Sequence, residues 1–209
     1  MKKHSSLPII IILLTVLSFT ACKKEDNRDF NALMKNTVWT GEFNYTGHDV
    51  QSVSMEFKDN GQVWWYEMTK EYGGTWVIEN KRLKVVFGNN TGFDAEISKD
   101  NKLNKIQNIS ANGWNLVSAE LNTTPDIPLL FTTWSAPGIN LSFKPGNMVD
   151  MDNGNGTTWI LQYTHKPKGL SFSSAQWKMF MVFRSGTVLK GANKLDNEPG
   201  IHPFEVTKK

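Results

Sequence analysis

The stretch Asp150-Met151-Asp152-Asn153-Gly154-Asn155-Gly156 sets carboxylate and amide oxygens close together, as the start of a calcium loop does. An EF-hand loop also needs glycine at its sixth position and glutamate at its twelfth. Those positions hold Asn155 and Leu161, so the ligand set is incomplete. A hairpin turn through Asn153-Gly154 accounts for the same residues. Asp94 and Glu96 would project from one face of a strand, as a general acid and base do, but nothing nearby in the sequence outlines a pocket. Two solvated carboxylates are expected there. His48, His165 and His202 have no metal-ligand spacing and read as surface residues. Gly-x-Ser-x-Gly, His-Glu-x-x-His and a phosphate-binding glycine loop are all absent. The expectation is therefore a protein without catalysis, metal or cofactor.

Cys22 is different. It is the single cysteine, which excludes an internal disulfide and a cysteine cage for zinc. Met1-Lys2-Lys3-His4 is basic, and Leu7 to Phe19 is a mostly apolar run of 13 residues. A bilayer span needs about 20 residues, so a secretory signal is the better reading. The run ends in Phe19-Thr20-Ala21-Cys22, which resembles the lipobox of bacterial lipoproteins. That resemblance implies that residues 1–21 are removed and that Cys22 becomes the acylated first residue, with a membrane as its partner. Lys23-Lys24-Glu25-Asp26 follows within a tether over 22–28. The cluster is similar to the surface-export signal of some Gram-negative lipoproteins, and a merely solvated tether explains it nearly as well. The expected location is the outer membrane, lipid-anchored, with exposure at the cell surface as the finer expectation.

The formal net charge of +3 includes Lys2 and Lys3; without residues 1–21 there are 21 basic and 20 acidic residues, a net of +1. That thin excess does not support a nucleic-acid partner. With 39% hydrophobic and 21% charged residues, the composition is that of a globular protein.

What remains is a framework of alternating residues. Gly74-Thr75-Trp76 and the run Val77 to Phe87 show the period of two that marks half-buried strands, and Thr157-Thr158-Trp159 starts a similar run 83 residues later. Asp29 is a candidate N-cap for a short helix through Met34, ahead of a strand opening at Asn36. Val53, Met55 and Phe57 alternate with Ser52, Ser54 and Glu56, which predicts one wet face. Lys58-Asp59-Asn60-Gly61, Glu79-Asn80-Lys81 and Asp100-Asn101 supply turns, and Trp114 to Leu121 closes a meander of seven or eight strands. Trp39, Trp76, Trp134 and Trp159 are expected in the core.

Thr123-Thr124-Pro125-Asp126-Ile127-Pro128 reads as a linker. Beyond it, Thr132-Thr133-Trp134 echoes Thr37-Val38-Trp39, and Phe57, Val63, Ile97 and Leu103 recur as Phe143, Val149, Phe183 and Leu189 at a spacing of 86. This predicts a repeated unit of roughly 85 residues whose second copy has a first hairpin about nine residues shorter. Asp94, Glu96 and Ser98 correspond to Phe180, Val182 and Arg184, making the second strand apolar on both faces; Trp64 and Tyr66 are set against Met148 and Asp150. Trp64, Tyr66, Phe180 and Val182 are therefore the candidates for a ligand platform or for the contact between repeats.

The expected fold is all-β: two tandem antiparallel meander or barrel repeats, over 29–122 and 123–209, as two small barrels or halves of a larger one. The short helix leading into a strand with Trp39 beside Gly41 is similar to the lipocalin-like domains of bacterial lipoproteins. The resemblance implies an apolar molecule held inside or a partner at the rim. The leading expectation is a lipid-anchored binding protein for a small apolar ligand or partner. An accessory subunit that docks a partner protein, and glycan capture through exposed aromatics, are the alternatives.

Overall fold

The structure, a computed structural model, describes residues 26–110, 113–174, 177–195 and 200–209. The expected signal segment, Cys22 and most of the tether lie outside the described residues.

Asp29 caps the short helix α1 (Phe30–Met34) by accepting from the Ala32 amide. Eight antiparallel strands follow: β1 (Thr37–Tyr45), β2 (Gln51–Phe57), β3 (Gln62–Tyr66), β4 (Glu71–Glu79), β5 (Arg82–Phe87), β6 (Thr91–Ile97), β7 (Leu103–Ile109) and β8 (Trp114–Leu121). Their order in the sheet is β7-β6-β5-β4-β3-β2-β1-β8. The ends β7 and β8 meet across a seam rather than a full ladder. It is held by the Lys102–Glu120 bridge and by the Asn108 side chain, which donates to the Leu116 carbonyl at 3.1 Å and accepts from its amide at 2.8 Å.

The second unit comprises β9 (Thr133–Ala136), β10 (Ile139–Lys144), β11 (Met148–Asp152), β12 (Thr158–Lys166), β13 (Gly169–Ser173), β14 (Trp177–Ser185), β15 (Val188–Leu195) and β16 (His202–Lys208). These close into a barrel in the order β10-β11-β12-β13-β14-β15-β16-β9. The molecule is thus all-β, with two eight-stranded barrels in tandem. The β9–β10 hairpin turns through Pro137-Gly138, which gives the shortening predicted for the second copy.

The two copies share construction details. Trp39 and Trp134 are fully buried, and their indole Nε1 groups donate to Thr37 and Thr132 hydroxyls, which donate in turn to the carbonyls of Met34 and Leu129. Phe57 faces Val63 as Phe143 faces Val149, and Ile97 faces Leu103 as Phe183 faces Leu189.

The equivalence of Trp76 and Trp159 is corrected. The Trp76 amide donates to Gly61, and at the matching place the Tyr163 amide donates to Asn147. Trp76 therefore corresponds to Tyr163, and Trp159 to Tyr72, each four residues from the assumed register. Trp76 is buried, whereas Trp159 is only partly so. By the same ladders Trp64 and Tyr66 correspond to Asp150 and Asp152, not to Met148 and Asp150.

A second correction concerns β2. Its predicted wet face is covered: Ser52 and Ser54 are buried, donating to the carbonyls of Lys190 (3.1 Å) and Pro167 in the second barrel. Serine is small enough to let the two sheets approach closely while satisfying their backbone oxygens.

Candidate functional site

The interior of the first barrel is solid rather than hollow. Trp39, Phe43, Phe57, Trp65 and Phe93 fill it, with rings meeting edge to face, such as Phe43 on Trp65 at 5.1 Å. Helix α1 places Phe30 and Met34 in the same core. At the far end, where β1, β3 and β5 finish and β4, β6 and β8 begin, the filling stops short.

A cavity of about 250 Å³ opens there. The rings of Tyr45, Tyr72, Phe87 and Trp114 line it, and Lys70, Gly88 and Thr91 complete the lining. Tyr72 and Phe87 meet edge to face at 5.0 Å, and Phe87 meets Trp114 likewise at 6.2 Å. The second barrel explains why the space exists. Thr91 corresponds to Trp177 and Tyr72 to Trp159, and those two indoles lie against each other at 5.2 Å. A threonine in place of a tryptophan leaves the first barrel's mouth open.

Two polar features mark the site. Glu67 follows Val63 and Trp65 on the inward face and is 3% exposed. Its carboxylate accepts from Trp65 Nε1 (3.0 Å), the Tyr45 hydroxyl (3.1 Å) and the Thr69 hydroxyl (3.1 Å). Burial raises its pKa above the ordinary carboxylate value, against the pull of those donors. Burial also raises the Tyr45 and Tyr72 phenols, with the Glu67 charge adding to the effect. Lys70, held over the Tyr45 ring at 5.7 Å, brings a cation to the lining.

The second feature is Trp114. It is 2% exposed, and its buried Nε1 has no hydrogen-bond partner. The indole acts as a weak side-chain donor toward the Tyr72 phenol, pulling that phenol's pKa down against the effect of burial, but the two do not meet in hydrogen-bond geometry. An unpaired buried donor costs about 1–3 kcal/mol, and a ligand oxygen would remove that cost.

The sequence candidates are placed elsewhere. Tyr66 packs against the buried cluster of Met68, Phe180, Val182, Ala192 and Ile201, which bridges the two barrels. Its phenol, next to Lys166 and bonded to Glu56 at 3.4 Å, is pushed up to about 12, by burial first and then by that carboxylate. Trp64 does not join them: it is 41% exposed, with its ring above Gly73. Asp94 and Glu96 are engaged by Arg82, and Lys105 adds a 3.0 Å bond to Glu96. Asp152 and Asn153 accept from the amides of Gly154 and Asn155 in a tight turn. Among the described residues no three His, Cys, Asp or Glu side chains gather as a metal site would require.

Tyr45, Glu67, Lys70, Tyr72 and Trp114 were not singled out from the sequence. A signal for Glu67 was present, since a carboxylate two residues beyond Trp65 continues an inward-facing series. Comparison with protein-family models, with curated proteins and with solved structures finds no match for this chain.

Proposed function

We propose that this chain is a non-catalytic binding protein, acylated on Cys22 after removal of residues 1–21, anchored in the outer membrane of a Gram-negative cell, and built on lipocalin-like barrels. The first barrel takes a small apolar ligand at its mouth, and the second is the packed support. The observation that carries this reading is the mouth itself: four aromatic walls around about 250 Å³, beside a second barrel whose equivalent end is filled by Trp159 and Trp177. Ligand sites are concave and mostly apolar with a few placed polar groups, and this cavity lies near the lower end of their usual size.

Gly88 offers a clean test, because a Cβ added there meets nothing within 4 Å. Toluene titrated into the purified protein should give saturable shifts in the NMR signals of Tyr72, Phe87 and Trp114. Gly88→Trp should abolish those shifts while leaving the unfolding midpoint near that of the parent. Equal shifts in both proteins would refute the mouth as the site. For the anchor, a palmitate analogue fed to cells should label the parent chain and not Cys22→Ser; label retained by that variant would refute acylation at Cys22.

A further inference from the structure

Resting on the mouth of the first barrel as the binding site, the geometry points to a narrower ligand class: a single planar ring bearing a carboxylate. An apolar cavity of about 150 Å³ accommodates benzene. The 250 Å³ here fits one ring with a short substituent, and a fused polycyclic or long acyl chain would not be enclosed. The ring lies among Tyr45, Tyr72, Phe87 and Trp114, whose faces and edges suit another aromatic.

The substituent is set by what the cavity offers to it. Trp114 Nε1 is a donor only, it is buried, and it has no partner. It therefore calls for an acceptor atom on the ligand. Lys70 lines the same cavity, and among the described residues its ammonium forms no salt bridge; it lies over the face of Tyr45, and its charge also acts on Glu67. A carboxylate satisfies both, one oxygen accepting from Trp114 Nε1 and the negative charge facing Lys70. Glu67 is the buried acid on this side of the barrel; its oxygens accept from Trp65, Tyr45 and Thr69, burial favours its protonated form, which does not repel a bound anion, and the Lys70 charge acts on it as well.

The test uses benzoate, benzamide and toluene on the same purified protein, read by the ¹⁵N–¹H signal of the Trp114 indole and by calorimetry. Benzoate should bind most tightly and shift the Trp114 indole N–H, benzamide should follow, and toluene should bind weakest. Trp114→Phe keeps a ring but no donor, and should weaken benzoate about tenfold or more and toluene by a clearly smaller factor. Lys70→Met should weaken benzoate and spare benzamide. Since the indole shift is read in the unaltered protein, it stands even where Trp114→Phe folds poorly. Toluene binding as tightly as benzoate, with no shift of the indole N–H, would overturn the carboxylate inference and leave the apolar mouth standing. No response to any of the three would overturn both.

Discussion

Glu67 carries a cost that its neighbours only partly offset. A carboxyl whose pKa is raised by burial keeps its proton to a higher pH in the folded chain than in the unfolded one. Between the ordinary value of 4.5 and the raised folded value, the native state binds more protons, so stability falls as pH rises through that window. Glu67→Gln has no such proton and should flatten that part of the curve, checked by urea midpoints from about pH 4 to about pH 8. A slope unchanged in the variant would assign the pH dependence to other groups. The two tryptophans that look alike in sequence should also differ. Trp76 is buried, donates to the Lys58 carbonyl at 3.0 Å and packs edge to face on Phe57, so Trp76→Ala should cost about 3–5 kcal/mol. Trp159 is partly exposed, and Trp159→Ala should cost clearly less in the same denaturation experiment.

Between strands, small residues and side-chain bridges control how the first barrel closes. Gly41 on β1 faces Ala119 on β8, and a Cβ at Gly41 would collide with the Ser118 carbonyl oxygen. Because that obstacle is backbone, it cannot swing aside. Gly41→Ala should lower the unfolding free energy by about 1–3 kcal/mol, while Gly88→Ala, with open space around it, should have little effect. On the other side of β8, the seam with β7 depends on the Asn108 side chain. Asn108→Ala removes both bonds to Leu116, and hydrogen exchange at the Leu116 amide should accelerate while Trp39, deep in the core, keeps its protection.

Taken together, the barrels are joined by more than a linker. Phe180 and Val182 are buried with Met68, Ala192 and Ile201, the β2 serines donate to second-barrel carbonyls, and Asn122 donates to the Phe183 carbonyl at 2.6 Å. Around this contact Glu42 pairs with Arg184 and Lys190, and Glu71 with Lys166. Phe180→Asp would bury an unpaired charge between the barrels and should lower the melting temperature or split one transition into two. Trp64→Ala, outside the cluster and largely in solvent, should leave the melting temperature nearly unchanged. If both variants melted like the parent, the buried cluster would not be a stabilising junction.

Much of the architecture was legible because strand burial alternates with period two and tight turns need Asn and Gly. Those are local properties, so the strands, the turns at Asn60-Gly61 and Asn80-Lys81, the Asp29 cap and the short second hairpin could be read before any contact was known. Trp76 and Trp159 misled because Gly-Thr-Trp and Thr-Thr-Trp are locally similar, while equivalence is set by which residues face β3 and β11 across a ladder. Ser52 and Ser54 misled for a related reason. A serine on the outward side of a strand looks solvated until a segment more than a hundred residues away covers it. The cavity belongs wholly to the long-range structure. It depends on six strand ends converging, on Thr91 standing where the other barrel has Trp177, and on Trp114 being seated with its Nε1 buried and unmatched. No run of neighbouring residues contains that information, because an empty space is defined by side chains that are far apart in the chain.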